Sequence, residues 1–223
     1  MNEEQITIGR EEIASAKEER RQEIERIFNP DRMMVIRKEL FASLRDPSVI
    51  IRDGNITFNT ACIKGLEDVV FVNLMIDEEQ GLLSVTACNE NDKEALRWCV
   101  AKPDKRKSRR MRCPDFTNNL YRVFNWDKKC RYKVLGYQVI FEDKIYYVFD
   151  LKVTQIFNEK PKKGEEPLDE NGKPVRVDTR KGYYPADIAN TFGVPMEQHK
   201  KEMEVTDMDG FVTIAALTGV KEE

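Results

Sequence analysis

Between Ala101 and Cys113 the sequence reads AKPDKRKSRRMRC: seven of thirteen residues are Lys or Arg and only Asp104 is acidic, in a chain whose formal net charge is -3. Ammonium and guanidinium groups at this density neutralise phosphates. The released counterions give an affinity that falls steeply with salt and carries no base preference. Lys102, Lys105, Arg106, Lys107, Arg109, Arg110 and Arg112 are therefore the candidate contacts to nucleic acid or to an acidic protein partner. The competing reading is a solvated connector between two folded pieces, the usual role of a charge run. No RNP, helix-turn-helix or zinc-finger signature accompanies the run, so no base-reading element is assigned.

The rest of the chain offers little to a catalyst. His199 is the single histidine and sits in the charged stretch EQHKK, where a surface role outweighs that of a general base. The five cysteines (Cys62, Cys88, Cys99, Cys113, Cys130) form no CxxC pair. With one histidine, reduced buried thiols are expected rather than a zinc site. The patterns GxxxxGK[ST], GxGxxG and GxSxG are absent. Glu78/Glu79 and Glu165/Glu166 fall in turn or linker sequence, where solvated charge is the default. No catalytic residue, metal or cofactor is expected, and the chain reads as a non-enzyme.

The elements around the basic run decide where it lies. Residues 10–28 read as a helix with a thin apolar stripe, Ile13, Ile24, Ile27 and Phe28, and charges three and four apart elsewhere. A second helix is expected over 32–45 on Met33, Ile36, Leu40, Phe41 and Leu44. SVIIRDGNITFN (48–59) reads as two strands around the tight-turn pair Asp53-Gly54. A short helix at 60–66 has Thr60 as its N-cap, and strands follow at 69–77 and 82–88. NENDKEALRWCV (89–100) predicts a helix from its Asn/Asp caps and acidic first turn. After the run come a short strand at 109–113, a helix at 114–126 opened by Pro114, and strands at 130–141 and 144–157 joined at Glu142-Asp143.

Residues 55–88 and 110–151 thus share one order: strand, short helix, strand, turn, strand. The basic run stands where one unit hands over to the next. Trp98 and Trp126 read as core, and Tyr132, Tyr137, Tyr146 and Tyr147 lie on strands. Residues 158–182, rich in Lys, Glu, Pro and Gly, read as a flexible linker. Residues 183–223 read as a small partner-docking tail, with short helices at 183–193 and 194–204 and a strand at 209–217. The expected architecture is α+β: an N-terminal helical arm (1–46), a β-rich core (47–157) of two repeat units (48–100 and 109–157), the linker and the tail. No segment reaches the roughly 18 apolar residues of a membrane span. The opening MNEEQITIGREE lacks the character of a signal peptide, so a cytoplasmic protein is expected.

The stretch GNITFNTACIKGLEDVVFVNLMIDEEQGLLSVTAC (54–88) resembles the AbrB/SpoVT pattern. In that family two such units interlock as swapped hairpins, and the dimer binds DNA; MraZ-like proteins carry two copies in one chain. The resemblance implies an AbrB/MraZ-like pseudo-dimeric core, with 110–151 as the second copy. The chain departs from the pattern at Asn59-Thr60, where the family carries a Pro after its first strand, and lacks the usual Gly-Asp before the second.

A wider resemblance, over 33–210, is to an uncharacterised family of Firmicutes prophages and integrative elements. It is carried by VIRKELFASLRDPSV (35–49), FNTACI (58–63), ALRWC (95–99), CRYKVLG (130–136), FDL (149–151) and FGVPMEQHK (192–200). Members are loosely labelled as integrase-related, yet one histidine is too few for a tyrosine recombinase. No N-terminal catalytic Ser with clustered Arg marks a serine recombinase either. The resemblance implies an accessory factor of a mobile element. Its expected partners are the element's own site-specific recombinase and DNA phosphates, and its expected role is control of recombination direction. An AbrB-like transcriptional regulator, homodimeric or pseudo-dimeric, and an inhibitor of a host defence nuclease are the alternatives.

Overall fold

The structure, a computed structural model, describes residues 15, 17–41, 46–102, 105–162, 164–201 and 212–213. It is α+β, with few helices and one dominant antiparallel sheet curled into a half-barrel. No helix among the described residues is long and apolar enough to cross a membrane.

Helix α1 covers 17–27 and stands in solvent, with Arg21 Nε donating to Glu25 at 3.1 Å along its surface. The helix expected over 32–45 is replaced. Single 3₁₀ turns at Pro30–Arg32 and Lys38–Leu40 flank strand β1 (Met34–Ile36), and 42–45 lie outside the described residues. The cause is tertiary: β1 pairs antiparallel with a distant segment, Met34 opposite Pro195 and Ile36 opposite Gly193, so its backbone groups bond across the chain.

The central sheet begins with β2 (Ser48–Arg52) and β3 (Asn55–Phe58), turning at Asp53-Gly54, where Gly54 has φ 75°. Helix α2 (Thr60–Gly65) follows. Its N-cap is Asn59, one residue before the Thr60 expected. Asn59 Oδ1 accepts from Cys62 N and from Ser48 N, both at 3.1 Å, and Nδ2 donates to the Asp46 carbonyl at 2.7 Å. One amide thereby starts the helix and ties it to β2.

Strands β4 (Phe71–Asp77) and β5 (Leu82–Ala87) form a hairpin. The helix expected at 89–100 does not form. Asn89 and Asp92 each bond the backbone two residues on (Asn91 N, 3.0 Å; Glu94 N, 3.1 Å), building turns rather than a cap. The chain then passes through β6 (Leu96–Arg97) and a separate hairpin, β7 (Cys99–Lys102) and β8 (Lys105–Ser108). Strand β9 (Arg110–Arg112), helix α3 (Pro114–Val123), β10 (Cys130–Phe141) and β11 (Lys144–Asn158) complete the core. Glu142 and Asp143 take φ of 46° and 60° in the two-residue turn between the long strands, as a primed hairpin turn requires.

Strands run in the order β6-β4-β5-β11-β10-β2-β3-β9. Alternation places Val49, Ile51, Ile56, Phe58, Leu83, Val85, Val134 and Phe149 inside the curl, each buried. Phe58 is at the centre, its ring 5.6 Å from both Trp98 and Phe149. Burying such a ring contributes about 1.5–3 kcal/mol. Beside α3 a second cluster forms, with Trp126 stacked on Tyr132 at 4.2 Å and 9°. The strand β10 register shifts between Val134 and Gly136, where Phe149 lies so close to Gly136 that a Cβ would sit 2.4 Å from the ring.

Two further segments lie against this core. Among the described residues, 159–182 contain no helix or strand beyond a bridge between Leu168 and Pro174. They run back along β11 to the bridge Ile156–Tyr183, and Arg131 Nη2 donates to the Thr179 carbonyl at 2.8 Å on the way. Helix α4 (Ala186–Ala189) leads to β12 (Gly193–Pro195), the partner of β1, and to helix α5 at 196–201. Strand β13 (Val212–Thr213) pairs with Ile140 and Val139 of β10.

Candidate nucleic-acid interface

The basic run is neither one loop nor one surface. Its members are distributed over β7, β8 and β9, with Pro103 and Asp104 outside the described residues. Lys102 and Lys105 face each other as backbone partners at the tip of the β7–β8 hairpin. Lys107 and Arg109 are exposed.

Arg106 turns inward. Nη1 donates to the Leu66 carbonyl at 2.9 Å, Nη2 donates to the Val69 carbonyl, and both acceptors lie just past α2. Val69 O also accepts from Trp98 Nε1 at 3.1 Å. A guanidinium against the carbonyl end of a helix is favourable by charge as well as by hydrogen bonding. Ser108 Oγ donates to the Phe58 carbonyl, so the same side of β8 is sewn to the core. Arg106 is thus a structural residue, whereas Lys107, Arg109, Arg110 and Arg112 of the same run are exposed.

Arg110 and Arg112 alternate with Met111 on β9. Met111 packs against the core, and both arginines are exposed on the opposite, outer face. Register carries that face across the sheet. Arg112 opposes Asn55, which opposes Arg52; Arg110 opposes Thr57, which opposes Ile50, which opposes Lys133. Arg52, Arg110, Arg112, Arg131 and Lys133 therefore share the outer face of four adjacent strands, β9-β3-β2-β10. No Asp or Glu occupies an outer-face position paired in these rows.

The nearest counter-charge is Glu159, just past β11, 3.2 Å from Arg52 Nε and 3.9 Å from Arg131 Nη1. Arg131 is largely committed. It bonds Thr179, lies 4.8 Å over the Phe157 ring, and its side chain is 17% exposed. Arg52, Lys133, Arg110 and Arg112 keep their charge toward solvent. Charge density at 101–113 does not mark Arg52, which stands alone in sequence, or Lys133, which belongs to the separate stretch KKCRYK (128–133). Their signal is positional: outward places in the alternation of β2 and β10.

The face opens at one end into a cleft of about 850 Å³ between the sheet, the 127–129 turn and residues 158–167. Arg52, Arg110, Lys128, Lys129, Lys160 and Lys162 line it, against Asp53, Asp127, Glu159 and Glu165. Cations exceed carboxylates, and the lining suits an anionic group held with partial charge compensation.

Burial pushes the Cys62 thiol up to about 12, and burial also raises Cys113 and Cys130. These sulfurs stay protonated and weakly nucleophilic at neutral pH. Among the described residues no three His, Cys, Asp or Glu side chains converge as a metal site would need. His199 lies half-buried on α5, far in sequence from the basic face.

Around β1 and β12 the surface is apolar instead. Met34 (42%), Ile36 (54%), Phe41 (61%) and Phe192 (78%) are exposed there. Comparisons with family models, with curated proteins and with solved structures return no match for this chain.

Proposed function

We propose that this chain is a non-enzymatic accessory factor of a mobile element. It grips DNA through the outer face of β9-β3-β2-β10 and, bound to the element's site-specific recombinase, biases the direction of recombination.

The observation that carries the DNA-binding part is strand pairing between the two units. Units β3-α2-β4-β5 and β9-α3-β10-β11 have the same element order, and their equivalent strands are neighbours: β3 with β9, and β5 with β11. The first unit (48–100) also places β2 against β10 of the second, so strands of the two units interleave in one sheet. This interleaving supports an AbrB/MraZ-like reading, in which two units supply one DNA-facing surface. Lys133, Arg110 and Arg112, with Arg52 partly compensated by Glu159, supply the phosphate contacts such a surface needs.

Directional control needs only differential binding. A factor that favours one synaptic arrangement by about 5.5 kcal/mol moves a population from 1:99 to 99:1. The exposed apolar surface at β1 and β12 supports a protein partner, because a large apolar patch left in water marks an interaction site.

The test is recombination in the presence and absence of the chain, with DNA binding measured in parallel. The expected result is a changed ratio of excision to integration, lost when Arg110 and Arg112 are replaced. An unchanged ratio together with specific operator binding by the protein alone would select an AbrB-like regulator, the second reading that the strand interleaving favours. Tight binding to a host nuclease with no affinity for DNA would overturn both.

A further inference from the structure

Strand β4 is paired along its length by β5, but its other edge meets a partner only at Phe71 and Val72, through β6. From Asn73 to Asp77 that edge has no strand beside it among the described residues. The matching edge of β10 is covered twice, by β2 at 132–135 and by β13 at Val139 and Ile140. Five open residues span about 17 Å, enough to template a short added strand. Natural edges are commonly protected by Lys, Pro or a bulge, and this stretch, NLMID, carries none of them.

Its side chains are apolar in the middle and acidic at both ends. Met75 and Ile76 are 40% and 38% exposed. At one end Asn73 Nδ2 donates to Asp92 Oδ2 at 3.0 Å, which holds beside the strand a net acidic turn bearing Glu90 and Glu94, the latter 3.7 Å from Lys93 Nζ. At the other end Asp77 runs into Glu78 and Glu79, all exposed.

We infer that the Asn73–Asp77 edge receives an extended, basic segment of a protein partner by strand addition. Backbone groups of the edge supply affinity, Met75 meets alternate apolar side chains on its own face of the added strand, and the acidic ends select Lys or Arg. A second copy fits poorly. Antiparallel pairing of β4 with itself would bring Asp77 of one copy beside Asp92 of the other, acid against acid. The chain's own segments MNEEQITIGREE (1–12) and KEMEVTDMDG (201–210) are acidic too, so charge does not select them for this edge. The edge lies at the opposite end of the strand order from β9, so this inference stands apart from the DNA-binding reading.

The probe is a fluorescein-labelled peptide of alternating Lys and Val, with two controls: alternating Glu and Val, and the Lys peptide with alternate amides N-methylated. Binding of the Lys peptide alone, with slowed hydrogen exchange confined to 73–77, is expected. The triple variant E78K/E79K/E90K, changed only at exposed side chains, should keep its melting temperature and lose affinity at least tenfold. Equal affinity for the variant, equal affinity for the N-methylated peptide, protection elsewhere, or a dimer in sedimentation that protects 73–77 without peptide would each overturn it.

Discussion

Arg106 Nη1 donates to the Leu66 carbonyl at 2.9 Å across 40 residues of sequence, locking the β7–β8 hairpin to the end of α2. Arg106→Ala leaves the Leu66 carbonyl without that donor in a half-buried position. Stability should fall by about 1–3 kcal/mol in urea titration. Lys at this position reaches one carbonyl and should restore only part of the loss. A stable variant with weakened DNA binding would show that Arg106 faces a ligand instead.

Removing Arg110 and Arg112 together should act oppositely. Both are exposed, so the urea midpoint should stay within error. The slope of log affinity against log salt should shrink by about 1.8, at about 0.9 per phosphate contact. The pair Arg52 and Lys133, remote in sequence but on the same face, should give a similar decrement. An unchanged slope in both double variants would remove the outer face from consideration.

Alkali should destabilise the protein once pH passes the ordinary values of its buried thiols and phenols. The Cys62 thiol is raised by burial from 9.0 to about 12, and burial lifts the Tyr132 and Tyr147 hydroxyls from 10.0 to about 12. All three are neutral when protonated, and above their ordinary values the unfolded chain binds fewer protons than the folded one. Their contribution is therefore complete below 9.0 and drains away as pH climbs toward 12. Denaturation midpoints followed by pH should be flat below 9.0 and fall above it. Cys62→Ala should make the fall above 9.0 shallower, and a fall of unchanged steepness would contradict the assignment to Cys62.

Gly136→Ala should be costly although Ala suits a strand better than Gly. The new Cβ would meet the Phe149 ring at 2.4 Å, and Phe149 is fully buried. Overpacking of this kind costs about 1–3 kcal/mol. A loss within about 0.5 kcal/mol, the range of a bland surface change, would mean that the ring can step aside.

Much of the central sheet was legible because its signals are local. Asp53-Gly54 and Glu142-Asp143 turn where the sequence places turns, and the alternation of β2, β3, β10 and β11 assigns their faces. The two misread helices failed for different reasons. At 89–94 the residues that cap helices also build Asx turns, and only the need to bury Trp98 and pair β6 selects between them. At 34–36 the apolar spacing suits a helix, but strand pairing with Gly193–Pro195 is invisible to any local window. The site was half legible for the same reason. The basic run announces itself by density, yet whether an arginine points inward like Arg106 or outward like Arg110 depends on hairpin register. Arg52 and Lys133 join it only once β2 and β10 are side by side.

Because β2 must wait for β10 and β5 must wait for β11, translation order and strand order disagree. On the ribosome, the segment through β5 emerges with β2 lacking its neighbour and β5 exposed on the side that β11 later takes. The nascent chain therefore carries unfilled sheet edges until residues beyond 130 clear the exit tunnel. Slow, long-range closure of this sort makes the newborn protein a client for holdase chaperones, and its yield in cells should respond more to elongation rate and chaperone supply than to the stability of the finished fold.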